Sequence, residues 1–514
     1  MMITRLHEKP VNPPRIRSTG TELAIGVILA LLLVQSVAAA PVAPLVVAAG
    51  DSSPATKARA NYTCDGFDDQ VEIQAALAAL PNDGTVVLSE GTFNCSGNII
   101  APAAGVTLMG QGPEKTSLEF SRNGILNVSE EYVTLEGFRI AGSGYVNAST
   151  NTTLDLGQWL GVLTVYASHA KIHNVTGTAD ASIQAVFLLL HNPNVYAPTL
   201  EDVEFVNCRA VDTGTYGFLH NAWGSENTTI KNVRYENCAA INCGRNGAFN
   251  PWVTGFDFAE LNNMDGLRVT DCLAEGSLES GFHFEWNPAK RDCVFINCTS
   301  RNNGQKPSPD DYLLGDPDFF GAGFHLPGGQ VSLVNCRAEE NGAFGFFVIN
   351  PDGMLLYNCT ESGTGRDSAI AEPISYCILQ SLPVSRNPSI VMDHCRSLDS
   401  NGWALFVCGT NNALVREFIM TNPAGIGGIG AILGCPSSKL PVNSTIDAGI
   451  SNSTIDLIAS GDRPQILVYI VNNRNVTYSG KVVSDAARPV AVEWTLAGGA
   501  NLTGLEVLPA SSTA

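Results

Sequence analysis

Apolar positions along this chain alternate over short stretches and then stop. In VSLVNCRAEENGAFGFFVIN, residues 331–350, a strand-like run VSLVNC ends in the polar turn RAEENGA. A second run, FGFFVIN, follows before the turn PDG. Such runs, punctuated by Gly and Asn, recur about every 23 to 38 residues with no helical spacing between them. Two marks repeat with them. One is Asn207-Cys208, Asn237-Cys238, Asn297-Cys298, Asn335-Cys336 and Asn358-Cys359, with Asp271-Cys272 and His394-Cys395 in the same slot. The other is Gly217-Phe218, Gly255-Phe256, Gly281-Phe282, Gly323-Phe324 and Gly345-Phe346, with Gly402-Trp403 aligned to them.

One such unit cannot bury its apolar side alone, whereas stacked units can, each strand pairing in parallel with the strand one coil away. The pattern therefore predicts an all-β parallel solenoid. Equivalent residues of successive coils lie roughly 4.8 Å apart. A column of asparagines can then hydrogen-bond along the stack, and the cysteines beside them form an apolar inward column. Near the start, Asp69 with Glu72 reads as a helix N-cap, and Ile73, Ala76, Leu77 and Leu80 keep helical spacing up to Pro81. A short helix over about 69–80 would cover the open end of the stack.

The stretch CDGFDDQVEIQAALAALPNDGTVVLSEGTFNC, continued by GVTLMGQGPEKTSLEF, resembles the opening of right-handed parallel β-helix proteins of the pectate-lyase-like superfamily. With the repeated coils, the resemblance covers roughly residues 61–410. It implies a right-handed parallel β-helix with an N-terminal capping helix. It leaves function open, because this fold carries lyases, hydrolases, epimerases and inert fibres. The Asn-Thr-Asp, Asp-Asp and Gly-His-Gly set of polygalacturonases and the Asp-Pro-His of alginate epimerases are missing; Asp68-Asp69 and Asp310-Asp311 fall in the cap and a loop. The expected organisation is a targeting segment over 1–45, a cap module over 46–104 and β-helix coils over 105–410. Residues 411–514 are expected to form less regular coils or a small β domain.

Aligning the coils on Gly-Phe places the chemistry. Period-two alternation turns Phe256, Phe258, Phe282 and Phe284 toward the core, and His220 with them. Leu219, Asp257, His283, His325, Phe347 and Ala404 then face out, followed by Asn221, Ala259, Glu285, Pro327, Ile349 and Phe406. Asp257, His283, Glu285 and His325 are the candidate catalytic residues. Trp252, Glu260, Trp286 and Arg291 in adjoining loops are the candidate substrate-binding residues. A polysaccharide fits such a surface: indoles stack on pyranose rings, and two carboxylates serve glycoside hydrolysis. A His beside a carboxylate suits proton abstraction in a lyase or epimerase. Clustered carboxylates would also suit Ca²⁺. The alternative is that these residues are an ordinary solvated face. A strip of His191, His220 and Asn221 is a weaker candidate.

Charge and targeting narrow the partners. The net charge of −20, with no basic patch, argues against nucleic acid. Arg5, Lys9, Arg15 and Arg17 precede the apolar run 23–40, which reads as a signal peptide or an uncleaved signal anchor. The chain is then secreted or on the cell surface, touching the membrane only through that segment. Export gives meaning to thirteen sequons, at Asn61, Asn94, Asn127, Asn147, Asn151, Asn174, Asn227, Asn297, Asn358, Asn443, Asn452, Asn475 and Asn501. It also makes Cys64 and Cys95, which lie outside the column, the first disulfide candidate, with Cys408 and Cys435 the second. Two functions stay open: a surface protein that binds or processes polysaccharide, and a non-catalytic glycosylated spacer or filament protein.

Overall fold

The computed structural model describes residues 43–146, 160–192, 199–222, 228–245, 247–250, 252–259, 263–285, 289–304, 321–365, 373–380, 385–434, 449–493 and 499–513. The basic and apolar stretch expected to act in targeting, residues 5–40, lies outside them. Among the described residues no helix is long and apolar enough to cross a membrane. Pro44–Ala514 forms one compact unit.

The coils are built from short strands, three of which recur through the middle of the stack. In one coil they are Cys293–Ile296, Thr299–Arg301 and Ala322–Pro327; in the next, Val331–Val334, Arg337–Glu339 and Phe344–Ile349. These pair one with one, all in parallel, with Phe295 beside Leu333, Ser300 beside Ala338 and Phe324 beside Phe346. The chain thus climbs one strand spacing per coil, as a right-handed parallel β-helix. Parallel stacking begins earlier than residue 105, since Leu45–Ala48 pairs with Thr85–Leu88 and that strand with Thr107–Met109. It also continues beyond residue 410. Ala413–Thr421, Ser451–Ser460, Arg474–Val483 and Ala500–Leu508 pair in succession, with register shifts after Val415 and Thr477.

The Asn-Cys mark is the corner between the first two strands of a coil. Asn207, Asn237, Asp271, Asn297, Asn335, Asn358 and His394 all hold φ between 50° and 56°. That is left-handed backbone, which Asn and Asp tolerate better than most residues. Their side chains stand on the outside and form the expected ladder: Asn237 Nδ2 donates to Asn207 Oδ1 at 2.6 Å, Asn335 to Asn297 at 3.2 Å and Asn358 to Asn335 at 2.8 Å. The cysteine that follows turns in. All seven column cysteines are buried free thiols. Several direct their Sγ at a carbonyl of the coil before, as Cys238 does at Phe205 O, 3.3 Å away.

Inside, the Gly-Phe mark builds an aromatic stack. Phe187, Phe218, Phe256, Phe282, Phe324, Phe346 and Tyr376 lie face to face with centroids 4.6–5.1 Å apart. Two sequence expectations need correction here. The coil strand Ile374–Leu379 has Ser375 in the glycine slot, so the Gly-Phe alignment passes over it. Trp403 pairs with Ile374, two places from the Phe346 row, so Ala404 faces the core and Phe406 takes the outward place.

At the N-terminal end a helix spans Gln70–Ala78 and packs Ile73, Ala76 and Leu77 against the first coils. The Asp69 side chain makes no cap bond. Its carboxylate instead accepts from Gly66 N at 2.9 Å and Asn94 N at 2.7 Å, tying the loop before the helix to a strand. The bridge expected between Cys64 and Cys95 is not formed, and both are free thiols in the core. Their sulfurs point to different backbone oxygens, Cys64 to Asp69 O at 3.9 Å and Cys95 to Phe93 O at 3.8 Å. Cys435, of the second candidate pair, lies outside the described residues.

Candidate functional site

The third strand of each coil carries the candidate row. In register it reads Thr164, Leu188, Leu219, Asp257, His283, His325, Phe347, Cys377, Phe406, Ile432 and Tyr469. Asp257, His283 and His325 therefore stand one above another in consecutive coils, as the alternation predicts. The solvated face does not follow, however: they are only 4%, 5% and 2% exposed. For His325 the reason lies in the same row and its neighbours. Phe344, Phe347, Ile374, Trp403 and Phe406 form a second apolar cluster on the outer side of this sheet, and His325 stacks on Phe347 at 5.3 Å. Facing away from the central core is not the same as facing water here.

Around His283 the groups converge. Its Nδ1 lies 3.6 Å from Asp257 Oδ1 and 3.9 Å from Glu279 Oε1. The His325 ring lies over it, centroids 4.5 Å apart. Burial lowers the His283 pKa to about 3, with the Lys290 charge acting the same way, so the imidazole is neutral at neutral pH. Burial also pushes His325 well below the usual histidine range, aided by His283 and Lys290. Tyr216 is buried nearby, its phenol pKa raised first by burial and then by Asp257, Glu279 and Glu285. Tyr216 hydroxyl donates to Asn250 Oδ1 at 3.2 Å, and the same oxygen accepts from Trp252 N at 2.9 Å. Trp252 itself is 42% exposed. The Trp252 backbone and the Tyr216 hydroxyl thus share one acceptor, Asn250 Oδ1.

Glu285 is half-buried just past the strand Phe282–Phe284, and its N donates to Phe258 O at 3.3 Å. Arg291 is exposed on a separate small sheet beside Asp265 and is not drawn into the cluster. Glu260 and Trp286 lie outside the described residues. Of the weaker strip, His220 does point inward, its Nε2 2.6 Å from Tyr235 hydroxyl, while His191 Nδ1 accepts from Thr229 N at 3.0 Å.

Sequence reasoning missed Glu279 and Lys290. Glu279 precedes the strand in a stretch that bends at Leu278, Glu279 and Gly281, and lies 3.9 Å from His283; strand spacing alone puts it out of reach. Lys290 carried a readable signal. On the small sheet it continues an inward column of Leu200, Ile230 and Met264. A lysine there is buried, 3% exposed. Its amine donates to Glu285 O at 2.9 Å and to Pro327 O, and lies 5.5 Å from the Phe284 ring centre.

Burial lowers the Lys290 pKa from 10.5 to about 7. Between those values the unfolded chain holds a proton that the folded lysine lacks, so this group makes stability rise with pH over that window. Below about pH 7 its contribution is flat. Denaturant titrations from pH 7 to pH 10 are expected to show a rise of up to roughly 1.4 kcal/mol per pH unit, and Lys290→Met is expected to flatten it.

No family model matches the sequence, and no curated protein matches it. Solved structures do resemble it in fold. One is pectate lyase Pel9A, 15% identical, covering 76% of this chain and 78% of that one, with a TM-score of 0.35. A rhamnogalacturonan lyase is 16% identical, covering 75% and 87%, with a TM-score of 0.37. The Agl-KA catalytic domain is 14% identical, covering 91% and 69%, with a TM-score of 0.35. At these identities and TM-scores the likeness carries no functional argument, and function has to be argued from the side chains.

Proposed function

We propose that this chain is an exported cell-surface protein that binds or processes polysaccharide on the flank bearing Asp257, His283, Glu285 and His325. One observation carries the reading: three consecutive coils place Asp257, His283 and His325 in a row that is apolar in most neighbouring coils. Glu279 and Lys290 are buried beside it. Burying ionisable groups costs several kcal/mol unless each is paired. A scaffold needing only rigidity would keep Leu or Phe there, as the coils on either side do. Neutral histidines next to carboxylates, and an amine titrating near neutrality, suit general acid–base work, and Trp252 offers a face for a sugar ring. The test is to incubate the protein with uronic-acid and neutral polysaccharides, reading absorbance and reducing ends. Turnover is expected to fall about 10²–10⁴-fold in His283→Ala and Asp257→Ala. Turnover unchanged in both variants would remove this site, and no turnover or binding of any polymer would remove the reading.

A second reading, a non-catalytic rigid spacer, is favoured by how little of Asp257, His283 and His325 reaches the surface. Either reading makes the chain a glycoprotein, but the sequons are not equal. Asn297, Asn358 and Asn475 donate Nδ2 along the outer ladder, at 3.1, 2.8 and 2.9 Å. A glycan on that nitrogen would have to fit between rungs roughly 4.8 Å apart. The exposed Asn61 and Asn501 use their side-chain oxygens as acceptors. Mass mapping after enzymatic deglycosylation is expected to find glycan at Asn61 and Asn501 and none at Asn297, Asn358 or Asn475.

A further inference from the structure

We propose that Cys64, Asp69 and Glu72, where the capping helix meets the first coil, form a binding site for one divalent transition-metal ion of the zinc class. Proximity is the first argument. One ligand atom from each side chain, the Cys64 sulfur and a carboxylate oxygen from each acid, lies within 4.8 Å of the other two. The chain brings them together locally. Cys64 follows the strand Tyr62–Thr63, Asp69 stands just before the helix Gln70–Ala78, and Glu72 lies in the first turn of that helix. A tetrahedral zinc ion, with ligands at about 2.0–2.3 Å, holds sulfur and oxygen atoms about 3.3–3.6 Å apart, so a movement of about an ångström at the Glu72 end would close the set.

The second argument is unmet bonding and unbalanced charge. Cys64 and Asp69 are 3% and 0% exposed. Glu72 is half-buried, and among the described residues its buried Oε2 has no hydrogen-bond partner. Buried polar atoms are rarely left so, and buried charges are paired or coordinate metals. The charged side chains that act most on the Cys64 sulfur include Asp69, Glu72 and Asp65, and those that act on Asp69 include Asp65 and Asp51. All are anionic. The positive end of the helix offsets part of this charge, but it gives Glu72 Oε2 no bond.

Asp69 is held as a ligand would be. One carboxylate oxygen accepts from Gly66 N at 2.9 Å and the other from Asn94 N at 2.7 Å. A carboxylate has about four lone pairs, so each oxygen keeps one for an ion, and outer bonds of this kind fix the orientation of metal-binding groups. The exposed side of Glu72 leaves an entry path. Ligand type decides the ion. A thiolate with two carboxylates suits zinc, cobalt or iron, whereas Ca²⁺ takes six to eight oxygens. His169, Glu201 and Asp202 also bring three ligand atoms together, but none of the three is buried, so water can satisfy them.

The site shares no residue with the flank assigned to polysaccharide, so either reading can fail alone. The test uses the full chain, stripped by chelator with a non-thiol reductant present and titrated with Zn²⁺, Co²⁺ or Ca²⁺ alone. Expected are one equivalent of Zn²⁺ by calorimetry and elemental analysis, and a higher melting temperature with Zn²⁺ bound. Co²⁺ is expected to give a visible band together with the near-ultraviolet charge-transfer band of a cobalt thiolate. Cys64→Ser is expected to lose the charge-transfer band and to bind Zn²⁺ at least about 100-fold more weakly, since even outer-shell partners are worth about 10–100-fold. Glu72→Gln changes a partly exposed helix position to a residue of similar helix propensity. It is expected to keep the fold and to weaken Zn²⁺ binding about 10-fold or more. The Co²⁺ bands on the natural chain do not depend on any variant folding. No bound Zn²⁺, a Co²⁺ complex without the thiolate band, tighter binding of Ca²⁺ than of Zn²⁺, or unchanged Zn²⁺ affinity in Glu72→Gln would each overturn the proposal.

Discussion

Phe282→Ala is expected to destabilise the folded chain by about 3–5 kcal/mol, the range for truncating a buried phenylalanine. The ring is buried on every side. It stacks on Phe256 at 4.9 Å and on Phe324 at 5.0 Å, and meets the edge of Phe295 at 5.7 Å. Removing it leaves a gap between two coils and ends both stacking contacts, each worth about 0.5–1.5 kcal/mol beyond the area buried. The coils cannot slide together to close the gap, because backbone pairing on every face fixes their spacing. A stacked architecture adds a second consequence. Each coil is stabilised by its neighbours, so a weak interface in mid-stack lets the two sides unfold separately. Denaturant unfolding is therefore expected to shift to lower midpoint and to broaden or split. Phe67→Ala, at a ring 80% exposed, is the control and is expected to change little. A Phe282→Ala transition as sharp and as stable as that control would mean the aromatic stack does not hold the coils together.

The parts of this molecule that were readable in advance are those that every coil repeats. Asn-Cys could be read because the corner demands left-handed backbone and a small inward side chain each time, and Gly-Phe because the aromatic stack recurs. Where one coil solves the problem differently, the reading slipped. Ser375 stands in the glycine's place, so a Gly-Phe alignment passes over the strand Ile374–Leu379 and sets Trp403 two positions out of its row. The side of the sheet on which Asp257, His283 and His325 lie follows from alternation, but their burial does not. Burial depends on what packs outside that sheet, as Phe347 does on His325, and period-two patterning reports only which face a residue takes, not what covers it. Lys290 could have been found by asking which residue continues the column Leu200, Ile230 and Met264. Glu279 could not, since its approach to His283 depends on a backbone bend. The Asp69 carboxylate was assigned to its own helix and is used by Gly66 and Asn94 instead, a tertiary contact that outweighs a local one.

The recurring glycine makes a sharper prediction than the recurring phenylalanine, because it concerns close contact between one coil and the next. A Cβ placed on Gly217, Gly255, Gly281, Gly323 or Gly345 would come 2.6–2.9 Å from a backbone carbonyl oxygen of the next coil. None of the five has positive φ, so the backbone conformation is open to any residue and the constraint is contact alone. At Gly323 the added atom would meet Gly345 O at 2.7 Å and Asn341 Nδ2 at 2.7 Å. The amide could turn away only by giving up its bond to Ser300 O, and the carbonyl belongs to the neighbouring coil and cannot rotate freely. Gly323→Ala is therefore expected to cost about 1–3 kcal/mol, although it adds a single methyl group and removes backbone freedom from the unfolded chain, which by itself would stabilise. Gly499→Ala, where nothing lies within 4 Å of the new atom, is expected to be neutral or slightly stabilising. Equal melting temperatures for the two variants would show that the coils can spread at this corner. The close contact that keeps Asp257, His283 and His325 in one row would then be looser than the pairing implies.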